Sequence, residues 1–331
     1  MTAYQLPQHT LTDDQQPRRV GVEIEMSGIE LSMIVCQCNI AYGGRIHEES
    51  PYEFIVRDSS IGDISVELDF DYLKRLGKAR FQDDVDNDEF SEFEYYASHG
   101  LAALTRNLVP CELISAPLPF EQLALLDTIV DRLRQHGARG TRSSLLYAFG
   151  VHLNQELPAL DSETVTRYLK AFLLLQDWLI DREQVELARK LSPFVVRFGS
   201  GYMKKVLQPD YWPEMGCLID DYIADNPTRN RSLDMLPLFT HIDQQRVRAA
   251  LPDEKINQRP TLHYRLMNSD IDNESWSLRQ GWNNWLRVEY LANQPEQLEQ
   301  ACVAWLEHKD ILKRDLLTSW KETIEQWLPD R

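Results

Sequence analysis

The residues with the most chemical potential stand in Gly21-Val-Glu23-Ile-Glu25, where two carboxylates two positions apart lie in an alternating apolar segment. In a strand both point the same way, with Cα atoms about 6.6 Å apart at about 3.3 Å per residue. Carboxylates side by side repel, and their energy falls when a divalent cation or a guanidinium sits between them or when one keeps its proton. Alone, the pair also suits a wet sheet face that carries no chemistry. Three further segments set similar residues among apolar partners: Glu67-Leu-Asp69-Phe70, Cys111-Glu112-Leu-Ile-Ser-Ala-Pro117 and Gly150-Val-His152-Leu-Asn154. With their polar faces aligned in one sheet, five acids and a histidine converge. An oxygen-rich cluster with an imidazole suits Mg²⁺ or Mn²⁺, and the imidazole favours Mn²⁺. Taken singly, His152 reads more often as a satisfied structural histidine, and in this company the ligand and structural readings stand about equal.

These residues need elements to hold them. Arg18 to Ser27 alternates Val20, Val22, Ile24 and Met26 with Gly21, Glu23 and Glu25, which predicts a half-buried strand with the acids on its polar face. A short helix over Glu30 to Tyr42 is closed by Gly43-Gly44. Tyr52 to Arg57 and Ile64 to Phe70 read as a hairpin, Val109 to Ser115 and Leu145 to Asn154 as strands, and Thr261 to Met267 as a late strand. Pro119 opens a helix that runs to Gly137, and Ser162 to Asp181 carries helical spacing through Val165, Tyr168, Leu169, Phe172 and Leu179. The acid-rich stretch 82–94 reads as a solvated loop, and 276–328 as a helical tail whose tryptophans serve packing. The expectation is an α+β protein on a mainly antiparallel sheet, with a flexible polar lead over 1–17 and one domain over 18–331.

Composition narrows the function. Among 331 residues, 43% are hydrophobic and 26% charged, enough to bury a full core. Lys and Arg total 35 against 52 Asp and Glu, a net charge of −17, and no basic run offsets it. Binding to nucleic acid or to an anionic membrane surface is therefore not expected. No stretch reaches about 18 uninterrupted apolar residues, and Met1 to Gln16 lacks the basic and apolar regions of a secretion signal. Five scattered cysteines, Cys36, Cys38, Cys111, Cys217 and Cys302, suit small buried residues in a reducing cytoplasm better than disulfides or a zinc site.

In order, GVEIE, an acid-bearing strand, ELISAPL, GVHLN and a late RPTLHYR resemble the glutamine synthetase and glutamate-cysteine ligase superfamily, most of all its amidoligase branch. The resemblance runs from about Val20 to Met267. It implies a curved antiparallel sheet with helices on one face, and divalent ions held between ATP and an amino-acid-like substrate. Carried over by position, Glu23, Glu25, Glu112 and His152 match metal ligands. Asp69 matches the preceding acidic position, with Asp58 and Glu67 as competitors, and Arg265 matches the arginine that contacts the transferred phosphate. Relatives usually carry glutamate two residues before that arginine, and here it is His263, which in a strand still shares a face with Arg265. His263 then either remains a ligand with one less negative charge or leaves that ion unbound.

The implied reaction joins a carboxylate and an amine, from small molecules or peptides, through an acyl phosphate made from ATP. Glu25 and Arg265 are its expected catalytic residues. No Walker loop occurs, and Arg197-Phe-Gly199-Ser-Gly201-Tyr-Met-Lys204-Lys205 reads as a flexible basic loop whose Arg197 and Lys204 are candidates for nucleotide contact. Arg259 has no role assigned by spacing. Two other readings stand beside the ligase. One is a catalytically reduced member of the same fold that binds without turnover, motivated by His263. The other is a hydrolase that uses paired carboxylates, with the late tryptophans lining a sugar groove.

Overall fold

The computed structural model describes residues 4–68, 110–143, 149–185, 196–252, 254, 256–311 and 319–329. Asp69, the acidic stretch 82–94 and the first residues of the Leu145 to Asn154 strand lie outside them.

The protein is mixed α/β, with a mainly antiparallel, unclosed sheet and ten helices among the described residues. The strands are β1 (Arg19–Met26), β2 (Arg45–Ser50), β3 (Glu53–Arg57), β4 (Ile64–Leu68), β5 (Cys111–Ile114), β6 (Leu118–Pro119), β7 (Gly150–Gln155), β8 (Leu233–Asp234) and β9 (His263–Asn268). Their order is β2-β3-β4-β5-β1-β7-β9-β8, with β6 pairing one end of β1. Each pairing between these strands is antiparallel. The helices are α1 (Leu31–Tyr42), α2 (Leu126–Gln135), α3 (Ser162–Arg182), α4 (Ser200–Val206), α5 (Met215–Asp225), α6 (Leu236–Ile242), α7 (Gln244–Ala250), α8 (Leu278–Ala292), α9 (Pro295–Ile311) and α10 (Trp320–Thr323).

The apolar alternation of β1 is matched by its neighbours: Ile24 stands between Leu113 of β5 and Val151 of β7. This face joins the helices in one core containing Ile34, Leu133, Phe172 and Trp285. The Tyr264 ring of β9 meets Phe172 of α3 and Trp285 of α8 at 6.2 Å and 5.3 Å between centroids. α1 ends at Gly43 and Gly44, both at positive φ (70° and 97°), and a Cβ on Gly44 would lie 2.6 Å from the Arg57 carbonyl oxygen. Only glycine fits that turn.

Several expectations change. β1 is buried from Val20 to Met26, so the acids do not sit on a solvated face, and Glu23 and Glu25 are themselves buried in the central part of the sheet. Pro119 opens a 3₁₀ turn over Phe120–Leu125, and the α-helix starts only at Leu126. The basic segment is not a loop beyond Gly199, because Tyr202, Met203 and Val206 supply a buried stripe for α4. Cys36 and Cys217 are exposed, on the outer sides of α1 and α5, while Cys38, Cys111 and Cys302 are buried; all five are free thiols. β2 is exposed almost throughout and carries RIHEES, a polar edge strand with no apolar alternation to announce it. Residues of the N-terminal lead contact the body: the Tyr4 hydroxyl donates to Asp127, and the Trp282 indole donates to the Gln5 carbonyl.

Candidate metal and substrate site

Strand register builds the site. Glu25 stands directly opposite Glu112, and Glu112 directly opposite Glu67, so three acids form a row across β1, β5 and β4. One row along, Glu23 faces His152 of β7. The bulge between β7 and β9 still leaves Tyr264 opposite Leu153 on the apolar face, and His263 and Arg265 flank Tyr264 in β9. Glu23, Glu25, His152, His263 and Arg265 are all buried, and the Glu112 side chain is only 12% exposed.

Glu23 is the hub. Its Oε1 accepts from Asn154 Nδ2 at 2.9 Å and from Arg259 Nη1 at 2.8 Å, and its Oε2 lies 2.9 Å from His152 Nδ1. Burial works against its charge, but the hydrogen bond from the His152 imidazole and the Arg259 guanidinium help outweigh burial and hold its carboxyl well below the usual range. An ionised carboxylate only accepts, so His152 Nδ1 carries a proton. Glu25 accepts from the Gly150 backbone N–H at 2.6 Å, and its Oε1 lies 3.7 Å from His152 Nε2.

His263 is coupled to this hub through Asn154. With its NH₂ aimed at Glu23, the Asn154 amide turns Oδ1 toward Arg259 at 3.2 Å and toward His263 Nδ1 at 2.7 Å. Burial and then the Arg265 guanidinium hold the imidazole well below its ordinary range, so it is neutral. Its Nδ1 donates to Asn154, which leaves the Nε2 lone pair buried and without a hydrogen-bond partner among the described residues. Two groups of three can each surround one ion: Glu23, His152 and His263, and Glu25, Glu112 and His152, with candidate ligand atoms all within 4.8 Å of one another in each. Opposite His263 on β8, Asp234 is buried, and burial raises its pKa despite Arg265 and Arg229. An acidic floor with arginines beside it suits an anionic substrate held through cations.

Among the sequence candidates, the structure brings together Glu23, Glu25, Glu112, His152 and His263, with Arg265 beside His263. Asp69 lies outside the described residues. Its competitor Glu67 stands in the row with Glu112, while Asp58 is exposed in the β3–β4 turn and pairs with Arg45. Arg197 and Lys204 belong to a segment that joins residues 230–232 beyond the β8 edge. There Arg197 pairs with Asp177 of α3, and Lys204 is in the last turn of α4. Asn154 and Arg259 acquire roles that sequence reasoning did not give them. For Asn154 the signal was present, since GVHLN places it on the His152 face by alternation. The late tryptophans Trp282, Trp285, Trp305 and Trp320 are core residues and line no groove.

A family model described as "Putative amidoligase enzyme" matches residues 16–287. The chain belongs to the amidoligase family. The matched span takes in every strand of the sheet and all the clustered ligands, so the family signature and the buried acid and histidine cluster coincide on this amidoligase. No curated protein and no solved structure matches it. Among the described residues, no helix of the amidoligase is long and apolar enough to cross a membrane.

Proposed function

We propose that this amidoligase is an ATP- and divalent-metal-dependent carboxylate-amine ligase, cytoplasmic, with a glutamine synthetase-like catalytic fold. The observation that carries this reading is the buried convergence of Glu23, Glu25, Glu112 and His152 within the family-matched span. Three opposed carboxylates in one row repel, and cations shared between them would relieve that repulsion, so the donor set fits Mg²⁺ or Mn²⁺. Glu23, Glu25, Glu112 and His152 would hold the ions, which when bound neutralise phosphate oxygens and let two anions meet.

The rest follows from the residues and the substrates. A carboxylate is a poor electrophile, so its oxygen first attacks the γ-phosphorus of ATP and the bond to the ADP oxygen breaks. Arg265, on the arginine side of the site, steadies the transferring phosphoryl group. The amine nitrogen of the second substrate then attacks the acyl carbon, the bond to phosphate oxygen breaks, and phosphate leaves. Glu25, the acid beside Gly150, takes the proton released by that amine. Water is a competing nucleophile, and the burial of the acids limits its access. The substrates are small-molecule or peptide carboxylates and amines.

Calorimetric titration of Mg-ATP and Mn-ATP into wild type and the Glu23→Gln, Glu25→Gln double variant tests this. Metal-dependent nucleotide binding that disappears in a folded variant supports it, and wild type that binds no nucleotide sinks it. A second reading, binding without turnover, is favoured by His263 standing where relatives carry glutamate. It predicts metal-dependent nucleotide binding with no phosphate release for any acid and amine pair.

A further inference from the structure

We propose that Asp234 is a positioning residue that holds Arg229 beside Arg265, and that Arg229 is thereby a second guanidinium contact for a substrate oxyanion, phosphate or carboxylate. The inference rests on the ligase reading for what the oxyanion is, and on geometry for the pairing.

β8 is only two residues long, yet its register decides the arrangement. Asp234 stands opposite His263, and the Arg265 backbone N–H donates to the Ser232 carbonyl at 3.1 Å. Asp234 is therefore the diagonal neighbour of Arg265 across the β8–β9 ladder, about 7–8 Å between Cα atoms and within reach of a long side chain. Its carboxylate is also fixed from its own chain, because Oδ1 accepts from the Leu236 backbone N–H at 3.0 Å at the start of α6. Oδ2 faces the arginine side. It lies 3.5 Å from Arg229 Nε and has no hydrogen bond among the described residues.

Charge explains why the acid and the arginines belong together. A carboxylate with no exposed surface is costly to keep ionised, and burial raises the Asp234 pKa while the Arg265 and Arg229 guanidiniums pull it down. Two guanidiniums at one sheet edge repel, and an acid beside both offsets that repulsion. With His263 neutral, two positive charges against one negative leave this corner positive, in a chain whose net charge is −17. A positive corner inside so acidic a protein suits an anion.

The direction of Arg229 fits the same use. Its side chain is 29% exposed while that of Asp234 is fully buried, so the guanidinium leads outward from a buried anchor. Arg229 and Arg265 both act on the His263 imidazole, Arg265 more strongly, which sets Arg229 on the side of the acid and histidine cluster. Arg231, two residues on, is turned away and donates to the Arg197 and Asp225 carbonyls. A guanidinium fork matches the paired oxygens of phosphate or carboxylate, and two forks hold two edges of one oxyanion.

The test uses the full chain in Mg²⁺ buffer without nucleotide, with inorganic phosphate and succinate as probes read by calorimetry. Wild type is expected to bind at least one of them. Arg229→Gln should weaken that anion about tenfold or more, Arg229→Lys should recover part of the loss, and added methylguanidinium should restore binding to Arg229→Ala. Asp234→Asn keeps the shape and removes the charge, and is expected to weaken the same anion because Arg229 loses its anchor. An aspartate that only balances charge gives the opposite result, tighter anion binding in Asp234→Asn, and that outcome overturns the positioning role. Loss confined to phosphate identifies the transferred phosphoryl group as the ligand, and loss confined to succinate identifies a substrate carboxylate; each supports the pairing. Wild type that binds neither anion, or equal affinities for both anions in folded wild type and Arg229→Gln, overturns the inference. Should Asp234→Asn fail to fold, the partly exposed Arg229 variants carry the comparison. Wild type that binds no ATP, yet holds phosphate through Arg229, removes the ligase and leaves the anion site standing.

Discussion

Glu25 and Glu112 are directly opposed across the β1–β5 ladder, and Glu112 is opposed again by Glu67 on β4. Like charges facing each other in a sheet destabilise it by about 0.2–1 kcal/mol per pair. Glu112→Gln relieves both oppositions, so without divalent ions the variant should be as stable as wild type or slightly more stable. Added Mn²⁺ should raise the melting temperature of wild type and raise that of Glu112→Gln less. Thermal denaturation with and without the ion checks this. A large loss of stability in metal-free Glu112→Gln would show that the row serves the fold rather than cation binding.

Asn154 gives a second prediction, on substitution chemistry rather than charge. Asn154→Asp replaces the donor to Glu23 with an acceptor and sets two carboxylates within hydrogen-bond distance. Expected is a loss of stability greater than that of Asn154→Ala, partly restored by divalent metal, as measured by chemical denaturation. Equal stability of the two variants would count against the amide orientation assigned above.

Far from the site, Arg18 and Glu289 form a buried pair, with Arg18 Nη2 donating to Oε1 at 2.7 Å and Nη1 to Oε2 at 3.1 Å. Tyr168 and Trp285 donate to the same carboxylate. Removing one partner leaves a buried charge without its countercharge, so Arg18→Met or Glu289→Leu should each cost about 3–5 kcal/mol. The double variant should lie closer to wild type than either single, which a double-mutant cycle of urea denaturation measures. Additive losses would contradict the pairing argument.

Asp161 caps α3: its Oδ1 accepts from the Thr164 backbone N–H at 2.8 Å and its Oδ2 from the Thr164 hydroxyl at 2.8 Å. Partial burial opposes the charge, and these two hydrogen bonds outweigh it, so the carboxyl titrates below its ordinary value. The folded protein therefore binds this proton less readily than the unfolded chain. The contribution is complete above the unfolded pKa of about 3.9 and is lost as pH falls through the lower folded value. Asp161→Ala should cost about 0.5–2 kcal/mol at neutral pH and less at acid pH. Denaturation curves for both proteins at neutral pH and below pH 4 decide it, and a pH-independent difference would refute the assignment.

The alternation in GVEIE, GVHLN and LHYR, the acid and histidine types, and the helical spacing of Ser162 to Asp181 were legible without a structure, because side-chain periodicity is a local property of the backbone. They determined that Glu23 and Glu25 share a face, that His152 and Asn154 share one, and that α3 forms. They did not determine that β4, β5, β1, β7 and β9 stand in that order, because pairing between strands many residues apart is decided by global packing and not by either strand alone. Register turned separate motifs into one cluster: Glu23 beside His152, Glu25 beside Glu112. Burial decided the rest. β1 reads as half-wet by alternation, yet it is buried on both faces from Val20 to Met26. Only that enclosure fixes the Asn154 amide and gives Arg259 a carboxylate to hold.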